Sequence, residues 1–250
     1  MEKRIIPCLD IKNGKTVKGV NFINLKQAGD PIELAQAYNE QGADELVILD
    51  IAATVEKRKT FGQLINDIAN VLTIPLTVGG GISELADVER ILESGASKVS
   101  YNTAALRNPD LIDDVAKHFG SEVSVIAIDA KQTEKGWMCL LDGGNTVSDR
   151  TLLDWAYEAQ ERGAGEILFT SMDHDGKKIG FPNDMLAQLK DKLSIPIIAS
   201  GGAGSMEDFK DAFVLGKVDA ALAASVFHFG EIKIPELKAY LCEQGISVKK

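Results

Sequence analysis

Short apolar runs alternate with longer amphipathic segments along the whole chain. The apolar runs are nearly continuous, which is typical of parallel strands that are covered on both faces. The amphipathic segments carry polar residues on one side, as surface helices do. The pattern predicts eight strands, near residues 4–9, 45–50, 75–79, 97–101, 122–128, 165–170, 195–199 and 218–223. It predicts a helix after each strand, near residues 31–41, 61–71, 84–94, 109–118, 151–162, 183–192, 205–215 and 235–244.

The second half of the chain repeats the first. The stretches "IPLTVGGGIS", from Ile74, and "IPIIASGGAGS", from Ile195, both pass from Ile-Pro through an apolar run into glycines. Their starting points are 121 positions apart, and other similar stretches have nearly the same separation. The repeat predicts two copies of a unit of about 120 residues, covering about 1–120 and 121–250.

Eight alternating strands and helices with an internal duplication predict an α/β fold, a (β/α)8 TIM barrel built from two (β/α)4 halves. The main alternative is a doubly wound open sheet. A barrel explains the duplication better, because two half-barrels that close on each other leave no sheet edge. No linker or low-complexity segment divides the chain, so we expect residues 1–250 to form a single barrel domain.

The composition indicates which kinds of partner and cofactor the protein could bind and where in the cell it would act. Of the 250 residues 45% are hydrophobic and 26% are charged, and the formal net charge of −10 disfavours a nucleic-acid partner. No apolar run is long enough to span a membrane, and the opening "MEKRIIPCLD" has an acid and no hydrophobic signal core, so we expect no secretory peptide. Three widely spaced cysteines and three scattered histidines predict no metal or other cofactor and favour a cytoplasmic protein.

The two glycine turns follow strands, so in a barrel they would lie on the catalytic rim. Without a Cβ, a glycine lets a phosphate approach the backbone, and the next helix offers free N–H groups. In each half the following strand ends in small residues, "SYNTAA" and "LAAS", and "VFHFG" after Ser225 could form a short extra helix. Tight turns without a ligand are the alternative. Two equivalent copies favour two facing phosphate sites, and they predict a long substrate with a phosphate at each end.

Asp10 and Asp129 end strands 1 and 5, which lie opposite each other in a barrel. Two carboxylates in a partly dry cleft can hold different pKa values and act as general acid and general base. For each residue alone, an ordinary turn aspartate is the alternative. Asp50 and Asp175, after strands 2 and 6, are expected to orient other groups rather than to react.

The connection between strand 1 and its helix, residues 11–30, is unusually long for this fold. Long connections of this kind often act as lids over a site, and we interpret this one as a lid. Lys18 within it could reach a substrate oxyanion or a phosphate, and a solvated lysine is the alternative.

Charged residues stand at the opposite ends of four strands. Each begins or precedes its strand, so all four would lie on the N-terminal face of the barrel. Buried charges must be paired, so two cations and two anions predict a salt-bridged ring that closes the barrel floor. Surface pairs of little energetic weight are the alternative. The four residues are Arg4, Glu45, Lys98 and Glu166.

Several stretches together resemble the cyclase subunits of imidazole glycerol phosphate synthase, a family of histidine biosynthesis. They cover nearly the whole chain and include "KRIIPCLDIKNGKTVKG", "GDPIELA", "TVGGGI", "NTAA", "VIAIDAK", "IIASGGAG" and "ALAASVFHF". The resemblance implies a substrate with two phosphates, a phosphoribulosyl-formimino aminoimidazole carboxamide ribonucleotide. Ammonia would condense with its ketone. The adduct would then be cleaved and cyclised to imidazole glycerol phosphate and an aminoimidazole carboxamide ribonucleotide.

The same resemblance implies roles for individual residues of this lyase. Asp10 and Asp129 would be the general acid/base pair, and Lys18 would act from the mobile loop. The residues that would hold one phosphate are Gly81, Asn102 and Thr103. Those that would hold the other phosphate are Gly176, Gly202, Ala224 and Ser225. Those that would complete the substrate site are Asp50, Thr170, Asp175 and Ser200.

In the family that the chain resembles, ammonia comes from a separate glutaminase on the N-terminal face of the barrel. The resemblance therefore implies a glutamine amidotransferase subunit as the partner. The charged ring at the barrel floor would then gate the entry of ammonia. This chain carries no glutaminase nucleophile motif, which fits a separate source of ammonia.

Three features depart from the family pattern. Ser97 stands where many members have an aspartate at the partner interface, Ala52 replaces a threonine, and "DGKKIGFP" (175–182) differs from the common loop. Two alternative functions stay open. One is the related sugar-phosphate isomerase of the pathway, which would use the same two aspartates without ammonia. The other is a barrel that binds a phosphoribosyl ligand without catalysis.

Overall fold

The computed structural model describes residues 2–20, 23–51 and 62–249, without the side chains of residues 18–28. Within these ranges the chain forms twelve strands: β1 (Arg4–Lys12), β2 (Lys15–Val20), β3 (Ile23–Gly29), β4 (Leu46–Asp50), β5 (Leu76–Gly79), β6 (Lys98–Tyr101), β7 (Ser124–Thr133), β8 (Gly136–Leu141), β9 (Thr146–Thr151), β10 (Glu166–Ser171), β11 (Ile197–Ser200) and β12 (Ala220–Ala223).

Eight parallel strands close into a barrel. β1 pairs with β12 on one side and with β4 on the other. The order continues through β5, β6, β7, β10 and β11 back to β12. The β7–β10 ladder, in which Asp129 aligns with Thr170, completes the ring. Each described barrel strand thus has two parallel neighbours, which confirms the predicted (β/α)8 barrel and contradicts the open-sheet alternative.

All eight predicted helices are present within two residues of their expected bounds. Local signals explain several boundaries. Asp30 accepts the backbone N–H groups of Ile32 and Glu33, and Ser205 forms a capping box with Asp208. No helix of the described ranges is both long and apolar enough to cross a membrane. Among the described residues the α-helices are Pro31–Glu40, Gly62–Ala69, Leu85–Glu93, Thr103–Arg107, Asp110–Phe119, Leu152–Glu161, Asn183–Lys192, Met206–Val214, Ser225–His228 and Ile234–Glu243.

The barrel has an outer and an inner apolar layer. Because strand side chains alternate between the two faces, one set packs against the helices and the other fills the barrel. Trp155 and Phe169 are fully buried in the outer layer. The alternation continues past the inner apolar residues to charged side chains at both ends of the strands. The inner layer contains Ile6, Cys8, Val47, Val125, Leu168, Ile198, Ala220, Leu222 and Ala224.

The structure corrects the interpretation of residues 11–30 as a loop. β2 and β3 continue β1 into an antiparallel ladder, in which Asp10 lies opposite Val17. The second half has the same addition, because β8 and β9 continue β7 and Asp129 lies opposite Leu140. Each predicted catalytic aspartate therefore lies where a barrel ladder meets an antiparallel one.

The two halves share backbone geometry at positions 121 apart. Gly80 has φ 96°, and a Cβ there would clash with the carbonyl oxygen of Asp50. Gly201 has φ 84°, and a Cβ there would clash with the carbonyl oxygen of Ser171. Only glycine suits such a conformation at so close an approach. The equivalent glycine geometry supports the division into halves near 1–120 and 121–250. That division stays a prediction, and so does the expectation of a single domain.

A buried ion pair joins the helix Ile234–Glu243 to the floor of the barrel. Lys238 Nζ lies 2.7 Å from Asp44 Oδ1 and 2.6 Å from the carbonyl oxygen of Gly42. Asp44 Oδ2 accepts the backbone N–H of Ile5 at 2.8 Å. The side chains of Lys238 and Asp44 are only 10% and 4% exposed. Removal of either charge would leave the other one buried without its partner.

We expect Lys238→Met to lower the free energy of unfolding by about 3 kcal/mol, because it leaves the Asp44 carboxylate buried and unpaired. Urea unfolding followed by circular dichroism at pH 7 measures the change. Lys233→Met, on the preceding turn, is the control: its pair with Glu236 is exposed, and its loss should cost less than about 0.5 kcal/mol. Equal losses in the two variants would contradict this role of the buried pair.

Candidate active site

Asp10 and Asp129 lie at equivalent places on the C-terminal rim of the barrel. Asp10 is buried and is aligned with Leu49 of β4. Asp129 is aligned with Thr170 of β10, and Thr170 is aligned with Ser200 of β11. Three of the predicted site residues therefore occupy neighbouring positions on one wall of the rim.

Asp129 is held by a side chain from the neighbouring strand end. Asn102 follows β6, and its Nδ2 donates a hydrogen bond to Asp129 Oδ2 at 3.1 Å. Burial raises the pKa of Asp129 to about 6, the Asn102 hydrogen bond opposes this rise, and the charge of Asp175 adds to it. A carboxyl with such a pKa can exchange its proton near neutral pH, which is what a general acid or base requires.

Asp50 and Asp175 are both buried at this rim. Asp50 ends β4 and is aligned with Ile11 of β1. Asp175 lies in the turn after β10, where its backbone N–H donates to the carbonyl oxygen of Ser171 at 2.9 Å. Because its charge acts on Asp129, Asp175 belongs to the electrostatic surroundings of that residue. The orienting role expected for both residues stays a prediction.

The first glycine turn leads from β5 to the helix Leu85–Glu93, with Gly81 at φ 69°. The next strand leads to Asn102, the N-cap of the short helix Thr103–Arg107, and the Asn102 side chain makes no capping hydrogen bond. Thr103 Oγ1 accepts the backbone N–H of Asp142, beyond β8, at 2.9 Å. The first turn of this helix is thus left without a side-chain cap, and its N–H groups can face an anion.

The second half repeats this construction. Gly176 and Gly202 adopt φ of 73° and 120°. β12 leads to Ala224, the N-cap of the short helix Ser225–His228, with φ −121° and ψ −72°. Asn102 has nearly the same angles, φ −120° and ψ −81°. The two halves therefore present matching glycine turns and matching short helices on the rim.

Two of the positions singled out from the sequence, the Lys18 side chain and Ala52, lie outside the described residues. Ser97, which departs from the family pattern, precedes β6, and its Oγ accepts a backbone N–H of β5 at 3.3 Å. In the altered loop after β10, Lys178 adopts φ 56° and forms an ion pair with Glu231 at 2.6 Å. This pair anchors the loop to the segment that follows the second short helix.

The four charged residues of the barrel floor form a closed ring of ion pairs. Glu45 Oε2 lies 2.9 Å from both Arg4 Nη1 and Lys98 Nζ. Glu166 Oε2 lies 3.0 Å from Lys98 Nζ, and Glu166 also pairs with Arg4. Burial alone would lower the pKa of Arg4, but the adjacent Glu166 and Glu45 carboxylates raise it overall.

Sequence reasoning missed contacts that complete both ends of the barrel. Thr77 Oγ1 donates to Glu45 at the floor, which adds a fifth member to the ring. At the rim, the carbonyl oxygen of Leu140 accepts from Asn102 Nδ2 at 3.2 Å. The inward alternation along β5 could have identified Thr77. The Leu140 contact depends on the β8–β9 hairpin, which the pattern of apolar runs does not predict.

Comparison with known proteins agrees with this arrangement. Residues 4–233 match the family described as "Histidine biosynthesis protein". The chain is 68% identical over 249 residues to "Imidazole glycerol phosphate synthase subunit HisF" of Bacteroides fragilis (strain YCH46), with complete coverage of both chains. It is 61% identical to the protein of that name from Parabacteroides distasonis and 59% to that from Flavobacterium psychrophilum, over 100% of this chain and 99% of each relative. The chain therefore belongs to the histidine biosynthesis protein family, together with the proteins named imidazole glycerol phosphate synthase subunit HisF.

Proposed function

We propose that this chain is the cyclase subunit of imidazole glycerol phosphate synthase. It condenses ammonia with a bisphosphorylated phosphoribulosyl-formimino aminoimidazole carboxamide ribonucleotide. It then cleaves and cyclises the adduct, which makes it a lyase of histidine biosynthesis. One observation carries the proposal: Asp10 and Asp129 occupy equivalent rim positions in a barrel whose halves each present a glycine turn and a short uncapped helix.

The two phosphates bind at the two matching turns. Glycines with positive φ let a phosphate oxygen reach the backbone, and the uncapped N–H groups of the short helices supply donors. The pseudo-twofold relation between the halves suits an elongated ligand with an anionic group at each end. The proposed phosphate-binding residues are Gly81, Thr103 and the backbone of Asn102 on one side and Gly176, Gly202, Ala224 and Ser225 on the other.

Asp129 and Asp10 exchange the protons of the reaction. Condensation of ammonia with a ketone releases water, so the departing oxygen needs a proton. When the adduct is cleaved, the nitrogen that leaves must also receive a proton from an acid. Asp129, with a pKa of about 6, can hold or release a proton near neutral pH. Asp10 acts as its counterpart. Around the substrate, the proposed residues are Lys18, Asp50, Thr170, Asp175 and Ser200.

The ammonia comes from a glutaminase subunit docked on the N-terminal face. The ring at the barrel floor gates its entry, and the apolar inner layer above the ring gives a small neutral molecule a path that excludes charged solutes. The proposed gate consists of Arg4, Glu45, Lys98 and Glu166. We place the reaction in the cytoplasm, where the exposed thiol of Cys242 would stay reduced.

We expect the purified chain to consume the bisphosphate substrate when ammonium is supplied at pH 8. Asp10→Asn and Asp129→Asn should each lower kcat by about 100- to 10,000-fold, because each removes a proton-transfer group. Absorbance follows the substrate, and equilibrium dialysis should show that both variants still bind it through its phosphates.

Asp149→Asn, at an exposed position of β9, is the matched control and should keep full activity. Normal turnover in either of the other two variants would remove that aspartate from the mechanism. Turnover of the isomerase substrate instead would assign the chain to the related isomerase.

The raised pKa of Asp129 also has a consequence for stability. The folded pKa of about 6 exceeds the ordinary value of 3.8, so the native protein binds this proton more tightly than the unfolded chain does. The resulting stabilisation is fully present below about pH 4 and is lost as the pH rises through about 6. At the pH of the assay the site therefore carries a charge that weakens the fold.

We expect Asp129→Asn to be more stable than the natural protein by about 3 kcal/mol at pH 8, because asparagine has no charge to bury. The gain should shrink as the pH falls and disappear near pH 4. Urea unfolding at pH 8, 6 and 4.5 measures it, with Asp149→Asn again as control. A loss of stability at pH 8 would contradict the electrostatic cost assigned to Asp129.

We expect Lys98→Ala to impair glutamine-dependent turnover of the two-subunit complex more than ammonium-dependent turnover. Lys98 bridges Glu45 and Glu166 across the floor, whereas ammonia added in solution can enter from the rim. The ratio of the two kcat values measures the effect. Lys190→Ala is the control, since its pair with Asp219 lies outside the ring. Equal effects of Lys98→Ala on both activities would count against the gate.

A further inference from the structure

The amide of Asn102 is turned towards Asp129 and away from the helix that Asn102 begins. Its Nδ2 donates one hydrogen to Asp129 Oδ2 at 3.1 Å and the other to the carbonyl oxygen of Leu140 at 3.2 Å. An asparagine side chain has two donor hydrogens in all. Both are used inside the protein, so the side chain has none left for a phosphate.

The contacts decide which end of the amide faces Asp129. A backbone carbonyl only accepts hydrogen bonds, so the amide nitrogen, and not its oxygen, must point at Leu140. The amide oxygen, Asn102 Oδ1, is buried and has no hydrogen-bond partner among the described residues. A buried unsatisfied acceptor is unfavourable. The two hydrogen bonds from Nδ2 therefore outweigh the cost of the unsatisfied Oδ1 and set the orientation of the side chain.

The backbone does not require asparagine at this position. An N-cap asparagine usually accepts an N–H from the first helical turn. Asn102 caps Thr103–Arg107 and makes no such bond, although its backbone angles are nearly those of Ala224 in the second half. Alanine has no polar side chain, so the same turn forms without an amide. The amide of Asn102 therefore serves another purpose than the turn.

We propose that Asn102 is a positioning residue that fixes the orientation of the Asp129 carboxylate. Its second bond, to Leu140, ties this contact to the β8–β9 hairpin, which thereby supports one wall of the site. The catalytic consequence of this role rests on the proposed function, whereas the contact between Asn102 and Asp129 is independent of it.

Other titratable groups also face Asp129. The charge of Asp175 raises the pKa of Asp129. Cys139 lies on β8, where burial raises the pKa of its thiol to about 12, Arg150 opposes the rise and Asp129 adds to it. The thiol therefore stays neutral at the pH of the assay. The Asn102 hydrogen bond therefore opposes the effect of burial and that of the Asp175 charge on the pKa of Asp129.

The test is Asn102→Leu, which removes both donors at similar size. A ¹³C NMR titration follows the aspartate carboxyls, and the Asp129→Asn variant identifies the Asp129 signal. The pKa of Asp129 should be about one unit higher in Asn102→Leu than in the natural protein, because a hydrogen bond to the charged form is lost. In ammonium-dependent turnover the acid limb of the kcat profile should move up by the same amount. The KM for the bisphosphate at pH 8 should change by less than about threefold, since the backbone holds the phosphate.

Two further variants keep the test decisive. Asn102→Asp has the same shape, places an acceptor where the donor stood and should raise the pKa of Asp129 further. Asn145→Leu is the matched control, because the Asn145 amide also bonds a backbone carbonyl of the hairpin, that of Asp142 at 2.6 Å. It should leave the pKa of Asp129 unchanged.

An unchanged pKa in Asn102→Leu and Asn102→Asp, together with a large rise in KM, would overturn the proposal and return Asn102 to phosphate binding. The titration needs no turnover. If the natural protein proves inactive, the proposed function fails while the positioning contact is still tested.

Discussion

A closed ring of parallel strands leaves each strand side chain only two directions, into the barrel or towards the helices. This constraint determines where the charged, apolar and acidic side chains lie along each strand. Along β1 the inward positions carry Arg4 in the floor ring, then Ile6 and Cys8 in the apolar layer, then Asp10 at the rim. A shift of one residue in the register would turn every one of these side chains to the helices. Closure of the barrel therefore fixes both the ring and the acids.

The strands and helices of the barrel could be predicted because their apolar runs are continuous and their helices are amphipathic. The two hairpins were missed because each is inserted between a barrel strand and its helix, where eight alternating strand–helix units leave no place for a further strand. Turn signals and an apolar run in β8 were nevertheless present. Asn13 and Gly14, with φ of 52° and 72°, form a two-residue turn between the paired Lys12 and Lys15, as Asn-Gly often does in hairpins. The second turn ends at Gly136, with φ 96°, and has no Asn-Gly pair to mark it.

The positions of the site residues followed from strand ends, but their contacts did not. The duplication placed Asp129 on the same rim as Asp10, and the topology placed Asn102 one strand away. Whether the Asn102 amide caps its own helix or reaches across to Asp129 depends on its rotamer, which local sequence does not determine. The floor ring was easier, since four charges at the same end of a closed barrel have few partners except each other.

Under the proposed function, the duplication would explain how one fold supplies both an acid and a base. The halves repeat the backbone, so Asp10 and Asp129 occupy equivalent places, but the side chains around them differ. The strand end next to Asp129 provides the amide of Asn102. The equivalent position beside Asp10 is Ala224, which has no polar side chain, and the thiol of Cys8 lies 3.9 Å from Asp10 Oδ1. Two acids in identical surroundings would titrate alike, whereas a proton relay needs them to differ. Under the proposed function, the different side chains at the neighbouring strand ends, on a repeated backbone frame, would give the two carboxyls separate tasks.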